Sequence, residues 1–251
     1  MLYREFQPDI LLAPYIETYW TASGYNQEAE LHRVLPDGCV DIIFSFEEDA
    51  LLGMQPTSPN IIGTMTTYLE SAYVNKVDML GMRFKPAGFT AFTRTPISEF
   101  TDLRVSLVLV ETLFDERFYV ELPQKPTTRE RIQHLDAYFL EKLKRVFQPE
   151  PQIVYAVDLI RQTKGLLPLT EVAYKSCLSL RHLERKFKVA VGTSPKTFSK
   201  VVKFQHTVSY LERNKDTSLF HTAIDCGYYD QAHLIKEFKT LSGDSPSYFK
   251  L

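Results

Sequence analysis

Basic side chains recur on the polar face of two short segments near the carboxyl end of this 251-residue sequence. Residues 182–188 read H-L-x-x-x-F-K, and residues 233–239 repeat that pattern 51 positions later. In the first copy Leu183 and Phe187 share one face of a helix, because residues four apart are neighbours on a helix surface. The opposite face carries the charged residues Arg181, Glu184, Arg185 and Lys188. Lysine and arginine on such a face can neutralise phosphate, so the pattern favours binding to nucleic acid.

The segments that must position these side chains are duplicated too. Gly192-Thr193-Ser194-Pro195 returns as Gly243-Asp244-Ser245-Pro246 at the same offset of 51 residues. Glycine is typical of a helix C-terminus, and Ser-Pro is typical of the start of the next helix. Ser179 and Asp230 are the predicted N-caps of the two charged helices. Each unit therefore has the plan helix, tight turn, helix, which predicts two helix-turn-helix motifs.

A long helix is predicted between the two units. It begins at Pro195 and ends near Leu211, with apolar residues at helical spacing. A rigid helix would hold the two charged helices side by side, which suits successive major grooves about 34 Å apart. The alternative is a helical protein-interaction domain, because apolar stripes usually form a core and charged faces usually meet solvent.

Charge is divided unevenly between the two parts of the chain. Residues 1–150 contain 14 Lys and Arg against 22 Asp and Glu, a net charge of −8, whereas residues 151–251 contain 15 against 9, a net charge of +6. This division predicts two domains, 1–150 and 151–251, with different partners. Gln148-Pro149-Glu150-Pro151 supplies a short, stiff linker between them.

Residues 169–250 resemble the DNA-binding domain of AraC/XylS-type transcription regulators. The matching positions run through both units: Ala173, Leu178-Ser179, His182-Leu183, Arg185, Phe187-Lys188, Gly192, Ser194-Pro195, Ala223, Asp225 to Tyr228, Asp230-Gln231, His233-Leu234, Phe238-Lys239 and Gly243 to Tyr248. The resemblance implies an all-α domain of seven helices, in which a long helix joins two helix-turn-helix motifs. The sequence departs from the family pattern where Cys177 replaces a usual glycine, Lys203 a usual arginine and Thr207 a usual alanine.

The resemblance also implies which side chains face DNA. Carried over by position, these are Leu180, Arg181, Glu184, Arg185, Lys188, Gln231, Ala232, His233, Ile235 and Lys236. Arginine can bind guanine through two hydrogen bonds and glutamate can accept one from cytosine, whereas Ala232 and Ile235 can only contact a thymine methyl group. We therefore expect the first unit to carry most of the base specificity, and the second mainly to position the protein and add affinity.

The first 150 residues predict a β-rich α+β domain, so the predicted fold is an α+β domain followed by an all-α domain. The predicted strands span residues 32–35, 40–46 and 77–84. The first two flank a turn at Pro36-Asp37-Gly38. Short helices are predicted at residues 86–92 and 96–101.

Parts of this domain resemble an uncharacterised domain family that precedes AraC-type domains. The resemblance rests on residues 35–39 and 81–89, with Trp20 upstream, and the family usually has glycine where Ala87 stands. Regulators of the AraC/XylS type commonly bind an effector in their first domain. Candidate effector-binding residues have the aromatic and charged types that hold sugars or carboxylates: Tyr19, Trp20, Asp37, Arg83 and Lys85. The alternative role for all five is core packing or a surface ion pair.

The sequence predicts no catalytic residues, no metal and no cofactor. Only His32 and His134 precede Pro151, too few for a metal-dependent site in that domain. The G-x-S-x-G, P-loop and G-x-G-x-x-G patterns are absent. Cys39, although it lies near Asp37, is more typical of a small buried cysteine than of a nucleophile.

Residues 127–147 predict a long helix at the end of the first domain. Its apolar residues follow a three-four spacing: Ile132, Leu135, Phe139, Leu143 and Val146. This stripe could pack on its own domain or against a second subunit, and analogy with the family favours a homodimer.

The three cysteines are dispersed, and the apolar runs are shorter than the roughly 20 residues of a membrane span. The first residues also lack the pattern of a secretory signal, so a bacterial cytoplasm is the expected location. We predict a sequence-specific transcription regulator that binds double-stranded promoter DNA. RNA polymerase, a small-molecule effector and a second copy of the chain are further candidate partners. The alternative is a helical protein-interaction module fused to a ligand-binding or enzyme-like domain.

Overall fold

The computed structural model describes residues 1–47, 59–107, 113–144 and 148–250. A β-rich region comes first in the chain and a helical region follows it. The strands are β1 (Leu2–Phe6), β2 (Ile16–Val34), β3 (Val40–Ser45), β4 (Asn60–Ile62), β5 (Leu69–Phe84) and β6 (Arg104–Ser106). They form one antiparallel sheet in the order β1-β2-β5-β3-β4-β6.

The centre of the sheet is the pair of long strands β2 and β5. The sequence predicts strands on either side of the turn at residues 36–38, and both are present. They do not pair with each other, because β5 lies between β2 and β3 and pairs with both. Gly38 has a φ of +81°, a left-handed conformation that glycine adopts without steric cost. The Asp37 carboxylate accepts a 2.8 Å hydrogen bond from the Cys39 amide and closes the turn.

One face of the sheet is covered by the helices α1 (Glu116–Glu121) and α2 (Thr128–Leu143). Thr127 and Glu130 form a capping box that starts α2. The buried residues of α2 are Ile132, Leu135 and Phe139, and they lie in the core between this helix and the sheet. The stripe predicted over residues 127–147 therefore packs on its own domain, and its predicted end at residues 146–147 lies outside the described residues.

Two short 3-10 helices, at Gly88–Ala91 and Ile97–Phe100, occupy the places where short helices are predicted. Ala87 precedes the first of them with a φ of +66°. This left-handed backbone explains why glycine suits the position better than alanine does. Gly81, on the other face of the sheet, leaves room for the Trp20 indole, because a Cβ there would lie 1.9 Å from Trp20 Cε2.

The helical region begins at Pro151. Its α-helices are α3 (Pro151–Gln162), α4 (Leu169–Lys175), α5 (Leu180–Val191), α6 (Pro195–Arg213), α7 (Leu219–Asp225) and α8 (Gln231–Ser242), and a 3-10 helix follows at Pro246–Lys250. These segments correspond to the seven helices that the resemblance implies, and α6 is the predicted long helix. None of the helices in the described ranges has the length and apolar character needed to cross a membrane.

The helical region has two cores, and α6 contributes to both. Phe198 of α6 packs in the first core, and Phe204 packs in the second. The β-rich region contacts each of them, because Ala87 joins the first core and Leu35 packs against the second. The two regions are therefore in direct apolar contact at both helical units.

Candidate nucleic-acid interface

The first helix-turn-helix unit consists of α4 and α5. The hydroxyl of Ser179 accepts a hydrogen bond from the His182 amide and caps α5, as the sequence predicts. Leu183 and Phe187 are fully buried against the rest of the unit. Gly192 ends α5 with a φ of +92°. Local capping and a buried apolar pair therefore fix this helix with its charged side chains outward.

The second unit, α7 and α8, repeats this construction. The Asp230 carboxylate caps α8 by accepting a 2.7 Å hydrogen bond from the His233 amide. Leu234 and Phe238 are fully buried, and Gly243 ends the helix with a φ of +77°. The duplicated sequence therefore forms a duplicated structure.

The tight turn of each unit requires one residue in the left-handed conformation. Gly227 has a φ of +73° in the second unit, and Cys177 has a φ of +55° in the first. The hydrogen bonds match, since Leu178 N donates to Ala173 O and Tyr228 N donates to Ala223 O. Cysteine in the usual place of glycine therefore leaves the turn geometry unchanged, at a steric cost of about 1 kcal/mol.

The predicted readers of the first unit lie on the surface. Leu180, Arg181, Glu184, Arg185 and Lys188 of α5 are all exposed. The structure shows no ion pair that joins Arg181, Arg185 or Lys188 to another described residue. Lys186, which lies on the same helix, instead contacts Glu150 of the linker at 2.7 Å. The exposed set thus presents two guanidinium groups, one ammonium group and one carboxylate to solvent.

The predicted readers of the second unit divide into two groups. Gln231, Ala232 and Lys236 are exposed, and Ile235 is half-buried. His233 is engaged within the protein, because its Nδ1 accepts from the Tyr229 amide at 3.3 Å and its Nε2 lies 3.1 Å from Glu237 Oε1. Since Nδ1 acts as the acceptor, Nε2 carries the proton that bonds the carboxylate.

Glu237 is the centre of a buried charge cluster beneath α8. Its carboxylate lies 3.1 Å from the Lys203 ammonium and 3.7 Å from that of Lys200. The Lys203 ammonium also lies 4.0 Å from the centre of the Tyr228 ring. The Lys203 side chain is thus buried, and its contact with Glu237 links α6 to α8.

A groove of about 450 Å³ separates α8 from the start of α6, and sequence reasoning missed it. Thr197, Lys200 and Lys236 line it together with Thr66 of the β-rich region. The sequence signal for it is the pair Lys196 and Lys200, four positions apart at the start of the predicted long helix, of which Lys200 lines the groove. Because it lies beside a predicted DNA-reading helix, the groove adds Lys200 to the residues that could contact phosphate.

The five candidate effector residues do not form one pocket. Tyr19 and Trp20 point to opposite faces of the sheet, as neighbouring strand residues do. The buried Tyr19 hydroxyl donates to Asp136 of α2 at 2.9 Å, and the Trp20 indole donates to Asp41 at 2.8 Å. Each therefore has a structural partner within its own domain.

Asp37 and Arg83 do come together, around a carboxylate that sequence reasoning missed. Arg83 Nε lies 3.3 Å from Asp41 and 3.4 Å from Asp37. Burial raises the pKa of Asp41 to about 6, and the nearby Arg83 charge and the Trp20 hydrogen bond oppose that rise. A lone aspartate inside the apolar strand β3 is the signal that could have found it.

Lys85 lies apart from that cluster, in a cleft between the two regions. The cleft has a volume of about 510 Å³ and is lined by Tyr15, Pro86, Val154, Tyr155, Asp158 and Arg161 among others. Arg161 of α3 also lies 3.4 Å from Glu17 of the sheet. The cleft therefore combines apolar walls with two cationic side chains and the Asp158 carboxylate.

Cys39 is a buried cysteine near this cleft, and Glu17 and Arg161 are polar neighbours of its sulfur. Cys39 lies 3.3 Å from a Glu17 oxygen, and burial together with the Asp37 charge raises the pKa of its thiol. A raised pKa disfavours the thiolate, the nucleophilic form. Among the described residues, no three His, Cys, Asp or Glu side chains are grouped so that they could hold a metal ion.

Two known sequence families match the chain. Residues 160–250 match a helix-turn-helix domain family of AraC type. Residues 4–106 match a family described as a domain of unknown function, DUF6597. No curated protein matches the chain.

Solved structures of ToxT from Vibrio cholerae share the fold. One, at 1.65 Å resolution, has 7% sequence identity and a TM-score of 0.50, and the match covers 92% of this chain and 97% of that one. Another, of ToxT bound to (E)-4-(8-methylnaphthalen-1-yl)but-3-enoic acid, has 8% identity and a TM-score of 0.50, with 92% and 98% covered. The match extends over both regions of the chain, so the β-rich region followed by a helical region is an arrangement known in solved proteins.

Proposed function

The chain carries an AraC-type helix-turn-helix domain behind a DUF6597 domain, and from this premise we propose that it is a sequence-specific transcription regulator of double-stranded promoter DNA. The observation that carries the proposal is the pair of capped helices α5 and α8, whose polar residues face outward on a common scaffold. The positive charge of residues 151–251 supports it, because phosphate contacts supply most of the non-specific affinity for DNA. A bacterial cytoplasm is the corresponding location.

In the proposed complex α5 and α8 enter successive major grooves. The N-terminal residues of a recognition helix contact base edges, so Arg181, Glu184 and Arg185 are the proposed readers in the first unit. Gln231 and Lys236 are their counterparts in the second unit. Lys188 and Lys200 are placed to contact phosphate, which positions the protein without selecting a base.

Selection of binding sites from random duplex DNA tests this function. The full-length protein at moderate salt is expected to enrich one motif with two parts, about one helical turn apart. Failure of both the full-length protein and residues 151–251 to enrich any sequence would favour the protein-interaction alternative. Enrichment by residues 151–251 alone would mean that the first region prevents DNA binding.

A matched pair of variants shows whether the proposed face makes the contact. Arg185→Ala removes one exposed charge from α5, and Arg129→Ala removes one from α2 in the other region. Arg185→Ala is expected to weaken operator binding by about tenfold or more, the effect of one lost base contact. Arg129→Ala should bind as the wild type does, and equal losses would place the DNA on another surface.

We also propose that the cleft beside Lys85 is the effector site, and that it takes a small apolar carboxylic acid. Tyr15, Pro86 and Val154 supply apolar walls, while Lys85 and Arg161 supply positive charge for a carboxylate. The neighbouring fold of ToxT is bound to a substituted butenoic acid, a ligand of this chemistry. An effector in this cleft would contact both regions and could change their relative position.

Thermal unfolding tests whether this cleft binds such an acid. The test compound is the butenoic acid to which ToxT is bound. A ligand that binds only the folded state raises the midpoint of unfolding, and above its Kd the increase grows with the logarithm of its concentration. The increase should disappear in Lys85→Ala and persist in Lys125→Ala, a lysine of the same domain that does not line the cleft. An identical increase in all three proteins would exclude the cleft.

The two-domain division at residue 150 fits the start of α3 at Pro151, and we keep 1–150 and 151–251 as the proposed domains. A homodimer would need a surface other than the buried stripe of α2. The first domain is proposed to sense an effector rather than to catalyse a reaction. RNA polymerase remains a proposed partner at promoters.

A further inference from the structure

A single loop of the β-rich region, residues 63–68, contacts the C-terminal ends of both recognition helices. At one end of the loop the Thr64 hydroxyl donates to the carbonyl oxygen of Val191, the last residue of α5, at 2.6 Å. At the other end the Thr67 hydroxyl donates to the carbonyl oxygen of Thr240 in α8 at 2.7 Å. The last four carbonyls of a helix have no partner inside the helix, so these bonds satisfy groups that otherwise need water.

The glycines that end the two helices are packed against the same loop. A Cβ on Gly192 would lie 3.1 Å from Thr64 Oγ1, and one on Gly243 would lie 2.9 Å from the Tyr68 ring. Thr101, beside the loop, donates to Gly192 O at 2.5 Å. Direct packing and hydrogen bonding thus coincide at both helix ends.

The loop is itself held in place by Asp102. One oxygen of this carboxylate accepts from the Thr66 amide and the other from the Thr66 hydroxyl, each at 2.6 Å. The Asp102 amide in turn donates to Thr64 O at 3.1 Å. Asp102 has a φ of +56°, a strained conformation that persists only where its surroundings enforce it. The loop is therefore a defined structural element.

We propose that loop 63–68 fixes the relative position of the two recognition helices, and so sets the spacing between the two half-sites that the protein accepts. This inference rests on the proposed DNA-binding function. Within the helical region, α6 joins the units through 19 residues and about 28 Å of helix, and Leu166 packs against the second turn at Gly227. The loop adds a connection that bonds directly to both recognition helices.

The position of the loop is compatible with DNA binding. It contacts the C-terminal ends of α5 and α8, whereas the residues proposed to read bases lie nearer the N-terminal ends. A salt bridge between Arg33 of β2 and Asp244 holds the second unit from the same side. The loop thus braces the two helices and leaves their reading faces exposed.

A distance measurement between two spin labels tests, in the absence of DNA, whether loop 63–68 fixes the relative position of α5 and α8. Labels at Lys188→Cys and Lys239→Cys, equivalent exposed positions on α5 and α8, are introduced in a Cys177→Ser background. We expect one narrow distance distribution with the native loop, and a clearly broader one with Thr64→Val and Thr67→Val combined. Thr163→Val removes a similar hydroxyl-to-carbonyl bond at the C-terminal end of α3 and is the matched control. Unchanged distributions in the folded double variant would overturn the proposal.

Half-site spacing provides the second readout. One base pair inserted between the half-sites is expected to weaken wild-type binding by about tenfold or more, as loss of specific contacts in one half-site would. The loop variant should lose much of this discrimination, whereas the Thr163→Val control should keep it. If the double variant does not fold, Thr67→Val alone, at an exposed bond, serves instead.

The two experiments separate the failure of each idea. If the wild-type protein binds no DNA, the proposed function is refuted. If the loop variant nevertheless has a broader label distribution than the wild type, the proposal that loop 63–68 fixes the two helices still stands. A wild-type protein that binds an operator with the same spacing preference as the loop variant would refute the brace alone.

Discussion

The two helix-turn-helix units of this protein share a scaffold and differ in what their outer faces do. Both recognition helices have a side-chain N-cap, a buried Leu-Phe pair and a left-handed glycine at the end. Each buried phenylalanine also packs against a phenylalanine of α6, with ring centres 5.4 Å apart in the first unit and 4.8 Å in the second. The positions that determine the fold are therefore the ones that remain alike.

The difference lies at the residue that precedes the buried phenylalanine of each recognition helix. Lys186 in the first unit contacts the linker residue Glu150 at the surface, whereas Glu237, its equivalent 51 residues later, is buried with Lys203. His233 is bonded to that carboxylate, so α8 has fewer side chains available for DNA than α5. We therefore propose that α5 carries most of the base reading and that α8 mainly anchors the protein on DNA.

The largest expected effect concerns the shared scaffold. Phe187→Ala and Phe238→Ala should each lower the free energy of unfolding by about 3–5 kcal/mol, because each leaves a cavity in a fully buried core. Urea denaturation followed by circular dichroism measures both. Costs that differ by more than about 2 kcal/mol would show that the two scaffolds are not equivalent.

The next effect separates the two units. Glu237→Gln leaves the buried Lys203 ammonium without its carboxylate and should cost about 3 kcal/mol of stability. Lys186→Gln, at the equivalent position, breaks a more exposed pair and should cost at most about 1 kcal/mol. The same denaturation measurement tests both variants. Equal losses in the free energy of unfolding would show that the contacts of Glu237 in α8 and of Lys186 in α5 contribute equally to stability.

A third prediction concerns the use of the two faces. Arg181→Ala should relax base preference, with about 1–3 kcal/mol of discrimination lost at one position of the operator. Lys236→Ala should weaken binding to all sequences alike and reduce the salt slope by about 1. Binding constants for the operator and its single-base variants, measured at two salt concentrations, decide between these outcomes. Equal loss of discrimination in both variants would contradict the division of labour.

The helical region was predictable because its signals are local. Ser179, Gly192 and Pro195 act within one turn of the residues that they cap or end, so their types alone place the helix boundaries. The sheet was less predictable, since β5 pairs between β2 and β3 through contacts distant in sequence. The Thr64 and Thr67 contacts to α5 and α8 have no sequence signal, because threonine is common in loops and its partners lie more than 100 residues away.

The smallest expected effect lies in the two tight turns. Gly227 adopts its left-handed backbone freely, whereas Cys177 adopts the same conformation against a steric cost of about 1 kcal/mol. Cys177→Gly relieves that cost but adds the conformational entropy of glycine in the unfolded chain, which opposes it by roughly 0.5–1 kcal/mol. The net change should therefore be a stabilisation of about 0.5 kcal/mol or less.

The reverse substitution at the equivalent position must behave differently. Gly227→Ala meets the same steric cost, and its Cβ would also lie 2.4 Å from Leu166 Cδ2, so a loss of about 1–2 kcal/mol is expected. Thermal unfolding of both variants against the wild type gives the sign of each change. A destabilised Cys177→Gly protein would mean that the cysteine side chain makes a favourable contact that outweighs its backbone strain. The first turn would then differ from the second in packing as well as in residue type.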